Sequence, residues 1–432
     1  MSTIEKHDMT QGKILLPLVS FTIPLVLGNL FQLTYNAADS VIVGKYVGEQ
    51  ALAAVGTSTP IMNIAILLIS GMCMGASVLM SSQYGAKDYD TLARQSSTTM
   101  LACCGFSVVF SLLMLLLANP VLRLIRVPET AIPEAAAYLR IIFMGLIFTF
   151  MYNFLANTMR ALGDSKTPLY FLVTSAFLNI FGDLFFVVVL RWGVAGSAIA
   201  TVCSEGLCCL LCGIYIKKKI PLLCLGKKWW VFDKSLLGKT VSYGSTSAMQ
   251  QVCLQLGKLI IQSVVNTQGV AVMAAFTAVN RVDDFAYTPQ QNIGHAMTTF
   301  LAQNKGAGHK ERMKKGFQTG LLIELVYSIG LFCVIWGLAP QIMTLFAEDG
   351  DAQVVSLGIS YLHLISWMYI LPGLTNGVQG FFRGIGDLKV TLYSTFMNMF
   401  GRVVAVFVMI RLLQMEFASL AWANMVGWIV ML

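Results

Sequence analysis

Four polar residues, Asn29, Gln32, Asn36 and Asp39, recur three, four and three positions apart within one long apolar run. A helix places them on a single face beside Tyr35. In another apolar run Asn179 and Asp183 are spaced by four and stack in the same way. An ionised group in hydrocarbon costs about 2.5–3.5 kcal/mol or more, so carboxylates in such runs need a function that repays their placement. A polar face of this kind lines a cavity in which the carboxylates can titrate, the alternative for a lone Asp being an inter-helix hydrogen bond. Pro24, upstream in the first run, removes a backbone hydrogen bond and predicts a bend.

The second half carries a different set. Gln251, Gln255, Lys258 and Gln262 are spaced four, three and four and form a polar stripe, and Arg402 falls inside a later apolar run. Lys258 and Arg402 are therefore expected as buried cations, facing the buried anions of the first half. Glu205 and Glu324 read first as helix-packing or interfacial acids, and His363 with the pair Asp283-Asp284 could also titrate. A run rich in Met and Phe, with Tyr138, Met144, Phe148, Met151 and Phe154 beside Asn153 and Asn157, offers adaptable apolar surface with polar anchors, and equally the content of any membrane core.

Other chemistries find no support. Ten cysteines, including Cys103-Cys104 and the group Cys203, Cys208, Cys209 and Cys212, lack the His or carboxylate partners and polar-loop spacing of a metal site and read as small apolar fillers. No G-x-x-x-x-G-K-[ST] phosphate loop occurs, so the chain is not itself an ATP-driven pump. Nor does a Ser/His/Asp arrangement stand out among four histidines. The expectation is a protein that is not an enzyme, holds no metal and no cofactor, and takes any energy from an ion gradient or from a partner.

The elements that must position these residues are membrane helices. Apolar residues make up 56% of the 432 and charged residues 12%, far from a soluble domain. Spans are predicted near 14–38, 60–84, 96–118, 138–160, 168–190 and 193–216, then 240–264, 281–302, 317–339, 359–382, 390–413 and 416–432. This is an all-α polytopic membrane protein of twelve transmembrane helices. It divides into an N-terminal six-helix lobe (1–216), a cytoplasmic linker (217–239) and a C-terminal six-helix lobe (240–432) whose last helix is cut short.

Repetition makes the lobes pseudo-symmetric. Arg160-Ala-Leu-Gly-Asp-Ser-Lys-Thr-Pro-Leu-Tyr170 returns as Arg383-Gly-Ile-Gly-Asp-Leu-Lys-Val-Thr-Leu-Tyr393. Gln83-Tyr-Gly-Ala-Lys87 with Arg94 matches Gln303-Asn-Lys-Gly-Ala307 with Lys315, and Asn179-Ile-Phe-Gly182 matches Asn398-Met-Phe-Gly401 after a four-residue indel, which puts Arg402 where Asp183 stands. Duplication of this length frames a central pathway. Glycines 71, 75, 373, 377, 380 and 384 read as close helix packing. Most of the 29 Lys and Arg, including Lys217-Lys218-Lys219, Lys227-Lys228 and the stretch from Lys305 to Lys315, collect on one side, which puts the N-terminus in the cytoplasm and accounts for the net charge of +8 without nucleic acid. The polar start is no secretory signal.

Pro24 through Asp39-Ser-Val-Ile-Val-Gly44, followed by Ala51-Leu-Ala-Ala54, resembles the first helix and loop of the multidrug and toxic compound extrusion family. Gln83-Tyr-Gly-Ala86, Arg160-Ala-Leu-Gly163 and Val282-Asp-Asp-Phe-Ala-Tyr-Thr-Pro289 are similar to its later signatures. The resemblance runs over essentially the whole chain. It implies two six-helix lobes in a V shape, alternating access, and multidrug efflux of organic cations by antiport against H+ or Na+ across a bacterial inner membrane by a functional monomer. It further implies a coupling-ion site of Asp39, Asn179, Asp183, Thr201 and Asn36, with Pro24, Gln32 and Tyr35 as the bend and its hydrogen-bonding neighbours. Asn153, Asn157, Met151, Gln251, Gln255, Lys258, Asn376 and Arg402 are the candidates for the cargo cavity. Some relatives carry acidic residues on helices seven and ten; here Gln251, Gln255 and Gly373-Leu-Thr-Asn376 stand there, which places coupling in the first lobe. A lipid-linked oligosaccharide or lipid flippase of the same architecture is the alternative.

Overall fold

A computed structural model describes residues 8–124, 127–129, 131–223, 230–346, 352–413, 417 and 419–432. The Lys227-Lys228 pair, part of the expected linker and most of the polar start lie outside these residues. The described residues form helices joined by short turns: α1 Leu15–Tyr46, α2 Glu49–Gly85, α3 Tyr89–Leu124, α4 Ile132–Ala161, α5 Lys166–Asp183, α6 Gly193–Lys219, α7 Lys234–Val265, α8 Val270–Gly306, α9 Lys310–Phe346, α10 Ala352–Ser366, α11 Ile370–Gly384, α12 Leu388–Phe407 and α13 Ser419–Met431. A 3-10 turn, Trp367–Tyr369, joins α10 to α11 into one span. Among the described residues nine stretches are long and apolar enough to cross a bilayer. α7 and α8 are as long but more polar, and the apolar stretch in α13 is shorter. Counted together these make twelve spans, an all-α membrane fold. The outward faces fit that setting: Val109, Leu112 and Leu116 of α3 and Leu322 and Val326 of α9 are exposed apolar residues, as lipid contact allows.

The chain packs into two units, Ile23–Ala248 and, apart from these, Met9–Thr22 with Met249–Leu432. The division within α1 falls beside Pro24, through which the helix runs unbroken.

In the first unit α4 is the spine. Pro133 and Glu134 start it and Arg160 lies in its last turn, the residue types that suit the dipole at each end. Leu139, Phe143, Leu146, Phe150 and Phe154 recur at helical spacing and are fully buried among Ile69 and Met80 of α2, Cys103 of α3 and Cys212 of α6. Cys73, Cys103, Cys208 and Cys212 are buried, and the nine described cysteines are free. α2 meets the start of α7 at two glycines. A Cβ on Gly71 would lie 2.5 Å from Ala248 Cα, and one on Gly75 would lie 2.5 Å from the Tyr243 carbonyl. In the second unit α8 and α10 supply the core through Val279, Tyr361, Leu362 and Ile365, with Met368 and Tyr369. α11 packs on α8 through Gly380, whose Cβ would stand 2.7 Å from the Gly294 carbonyl oxygen.

The duplicated motifs fold alike. Gly163 (φ 89°) and Gly386 (φ 84°) both take the left-handed region, each donating its N–H to the carbonyl of the preceding arginine, Arg160 or Arg383, at 2.9 Å. Asp164 then accepts from the Lys166 and Thr167 amides, and Asp387 from the Val390 amide, to start the next helix. Asp88 does the same for α3: the Thr91 amide at 3.1 Å and its hydroxyl hold the Asp88 carboxyl below the usual carboxylate range.

Backbone geometry corrects two registers read from residue identity. After α2, Lys87 (φ 58°) bonds to the Tyr84 carbonyl and Asp88 to that of Gln83; after α8, Gly308 (φ 74°) bonds to Lys305 and His309 to Asn304. Gln83 therefore corresponds to Asn304, and Gln303 to Ser82. In the fifth span the π-helical segment Leu184–Val189 closes with Leu190 bonded to Phe185. Its counterpart Val408–Leu412 closes with Leu413 bonded to Val408. Leu190 and Leu413 are separated by as many residues as Gly163 and Gly386, so no indel intervenes. Arg402 stands where Asn179 stands, and Val406, not Arg402, replaces Asp183.

Each unit also anchors the strap that precedes a long helix. In the second, the Gln303 carboxamide accepts from Met9 N–H at 3.1 Å, Asn304 donates to the Met9 carbonyl, and Arg312 donates to the carbonyls of Met9, Gln11 and Gly12 ahead of α1. In the first, Ser97 and Thr98 of α3 accept from the amides of Val231 and Asp233 ahead of α7, and Arg94 pairs with Asp233. The polar Gln83 and Gln303 regions are thus structural in large part.

Candidate functional site

α6 presents two hydroxyls one turn apart to the polar faces of α1 and α5. Ser197 donates to Asp39 Oδ1 at 2.5 Å, and Asn179 donates its amide to Thr201 Oγ1 at 3.2 Å. Asp183 completes the group. It is fully buried, and neither carboxylate oxygen meets an N–H or O–H donor. Its neighbour is Asp39, close enough for the two carboxyls to share a proton. The Asn179 side-chain oxygen is likewise buried without a donor. α5 and α6 approach closely enough that a Cβ on Gly182 would sit 3.0 Å from Ala200 Cβ, which holds Asn179 and Asp183 against the α6 hydroxyls.

This donor-poor arrangement has one chemical reading. Two neighbouring carboxyls, one half-buried and one fully buried, do not both stay bare, because repulsion adds to the hydration that Asp183 has lost. A proton shared between them, or a cation held by both with the Asn179 and Thr201 oxygens, satisfies the same lone pairs. Buried Tyr138 of α4 and the half-buried Tyr35 stand within electrostatic range of Asp39, and Gln32 is a hydrogen-bond partner of the Tyr35 hydroxyl. Farther along α6, Glu205 accepts from the Thr149 hydroxyl. Gln32 and Asn36 lie exposed on α1, and Pro24 is buried. Ser197 escaped sequence reading although a signal was present: it is four residues before Thr201 and so shares its face.

The carboxamides Asn153 and Asn157 spend an amide proton on the carbonyl one turn back, Thr149 and Asn153 respectively, at 2.8 Å. Met151 packs on the core of the first unit, its sulfur 3.5 Å from Cys104 Sγ.

In the second unit Gln255, Lys258, Gln262, Asn280, Asp284 and Arg402 line a cavity of about 220 Å³, with Phe276 on its apolar side. Gln251 is half-buried outside that lining, and Asn376 donates to the Pro372 carbonyl. The expectation that Lys258 is a buried cation is overturned. Its side chain is 55% exposed and pairs with Asp284 at 3.4 Å, because that face of α7 opens on the cavity. Arg402 is half-buried, with its Nε enclosed and unpartnered. The buried charge here is an anion: Asp283, 3% exposed, accepts from the Tyr369 hydroxyl at 2.5 Å and the Tyr361 hydroxyl at 3.3 Å, with Arg402 in electrostatic range.

Comparison with known proteins agrees with the duplicated all-helical fold. A model of the MatE family matches residues 24–185 and again residues 247–409, once in each half of the chain. Probable multidrug resistance protein YpnP of Bacillus subtilis (strain 168) is 32% identical, covering 90% of this chain and 86% of its own length. Probable multidrug resistance protein YoeA of the same organism is 29% identical over 88% of this chain and 82% of its own. Among solved structures, the outward-facing conformation of a multidrug resistance MATE family transporter of the MOP superfamily has a TM-score of 0.92 at 22% identity, covering 100% of this chain and 96% of that one, a likeness of fold.

Proposed function

The chain belongs to the MatE family of membrane transporters, and on that premise we propose that it is a secondary multidrug antiporter that exports organic cations in exchange for H+ or Na+. The observation that carries this reading is the Asp39–Asp183 pair, with Asp39 half-buried and Asp183 fully buried without donors around it. In this account the pair alternates between two charge states. A coupling ion entering from outside neutralises it, the hydrogen bonds from Ser197 and around Asn179, Thr201 and Asn36 rearrange, and α1 bends at Pro24 beside Gln32 and Tyr35. Cargo then leaves, and ion release on the other side resets the pair. Coupling requires that ion and cargo each prefer a different facing of the protein, since a ligand indifferent to both shifts nothing. The exposed cavity of the second unit, with Gln255, Lys258 and Arg402, and the Asn153–Asn157 face of α4 with Met151 are the regions proposed for cargo, together with Gln251 and Asn376.

The protein works as a monomer in a bacterial inner membrane with its N-terminus in the cytoplasm, a placement supported by the side on which Lys217-Lys218-Lys219 and Lys310 to Lys315 collect. It needs no cofactor beyond the coupling ion. The multidrug names of its relatives do not favour a lipid flippase. Ethidium efflux from membrane vesicles, measured with an imposed pH gradient or sodium gradient and each collapsed in turn, tests the proposal. Efflux that stops when one gradient is removed is expected; ethidium movement indifferent to both gradients would be a channel's behaviour and would end it.

A further inference from the structure

Glu324 of α9 lies in the second unit, outside everything the preceding reading uses. It is 1% exposed, both carboxylate oxygens are enclosed, and neither receives a hydrogen bond. None of the ion pairs among the described residues involves it. Its surroundings explain why. Gln290 of α8, fully buried, donates its amide protons to Ser328 Oγ at 3.1 Å and to the Tyr369 carbonyl at 2.8 Å. Ser328 in turn donates to the Glu324 and Tyr369 carbonyls. The Gln290 and Ser328 donors are thus directed at carbonyl or hydroxyl oxygens, and the Glu324 carboxylate and the Gln290 side-chain oxygen are both buried without a partner.

These groups close on a notch left by a glycine. A Cβ on Gly373 of α11 would lie 2.9 Å from Ser328 Oγ, 3.3 Å from Gln290 Nε2 and 3.3 Å from Glu324 Oε2. α8 and α9 therefore bring three polar side-chain atoms around the position that a side chain on α11 would take. The titratable groups in range are Tyr327, whose hydroxyl donates to the Ala286 carbonyl, and Tyr369, whose hydroxyl is committed to Asp283. Neither supplies a positive charge.

A buried carboxylate that receives no hydrogen bond and has no paired cation, beside a carboxamide whose oxygen is also unpartnered, is complementary to a small cation. We propose that Glu324, Gln290 and Ser328 form a second monovalent-cation site, in the second unit, occupied by a proton on the Glu324 carboxyl or by a sodium ion held by the same oxygens. With a proton, the Glu324 carboxyl is neutral and needs no paired cation. With sodium, the carboxylate supplies the charge and the Ser328 and Gln290 oxygens are the side-chain ligands on hand. This site stands independently of the Asp39–Asp183 pair.

The test uses the purified full chain as wild type, Asp183→Asn and Glu324→Gln, with two readouts: radioactive sodium bound per chain at equilibrium, and the infrared band of buried protonated carboxyls. Loss of one sodium equivalent in Glu324→Gln, retained in Asp183→Asn, identifies sodium as the occupant. Loss of one carboxylic-acid band with sodium binding unchanged identifies a proton. Glu324→Gln that keeps the wild-type sodium count and every carboxylic-acid band overturns the site and leaves the first-unit reading untouched. Should Glu324→Gln fail to fold, Gly373→Ala is measured in its place. Its methyl fills the notch and is expected to weaken sodium binding roughly 10-fold or to shift the Glu324 band, and unchanged affinity with an unchanged spectrum rejects the site.

Discussion

Asp183→Asn is expected to reduce gradient-driven ethidium efflux to the level of vesicles lacking the protein, while the purified variant remains folded. Asparagine keeps the shape of aspartate and removes the charge, so the packing of α5 on α6 around Gly182 and Ala200 is retained. What disappears is the second carboxyl of the pair, the one with no donor of its own. A neutral amide next to Asp39 can neither share its proton nor help hold a cation, so the pair loses the two charge states between which it must alternate. Because an uncompensated buried carboxylate opposes folding, the variant should unfold no earlier than wild type. Asp39→Asn should behave likewise, although Asp39 keeps the Ser197 hydroxyl as a partner. Efflux assays beside thermal unfolding separate loss of function from loss of fold, and wild-type efflux in either variant contradicts the assignment.

The second large effect is expected in the other unit and concerns stability. Asp283→Ala strips the acceptor from the buried hydroxyls of Tyr369 and Tyr361, the latter also receiving the Asn424 amide at 2.8 Å. Buried hydroxyls left without an acceptor cost about 1–3 kcal/mol each, so a loss of about 2–6 kcal/mol follows for the two. Lys258→Ala, one residue pair away in the sequence logic but exposed, should cost no more than about 1 kcal/mol, since its pair with Asp284 is 55% and 59% exposed. Thermal unfolding in detergent should show a clearly lowered midpoint for Asp283→Ala and almost none for Lys258→Ala. Equal midpoints would mean that the tyrosine cage around Asp283 does not hold the unit together.

The contrast between these two residues shows what the sequence made legible. Helical spans, their number and the duplication could be read because apolar runs and the Arg-x-x-Gly-Asp turn are local patterns, and the turn's left-handed glycine is required by backbone geometry in both copies. Asn179 and Asp183 could be put on one face because a spacing of four fixes it, as spacings of three and four do for Asp39 with Asn29, Gln32 and Asn36; joining the two faces into one site rested on the family resemblance. Burial could not be read in the same way. Lys258 sits mid-helix, yet whether that face opens on a cavity or on packed hydrocarbon depends on α8 and α12, which sequence spacing along α7 does not encode. The pairing of Arg402 with Asp183 failed for a related reason: two Asn-x-Phe-Gly stretches looked equivalent, while the turns at both ends of the spans set a different register. Ser197 and Glu324 were underrated because their importance lies in partners contributed by other helices.

A direct measurement of the central claim is cation release on cargo binding. Purified protein in weakly buffered solution is mixed with ethidium while a pH dye and a sodium electrode follow the solution. Wild type is predicted to release a proton or a sodium ion as it binds ethidium, and Asp39→Asn and Asp183→Asn to bind ethidium without that release. Ethidium binding by wild type with no cation set free, or undiminished release from Asp183→Asn, would contradict the account.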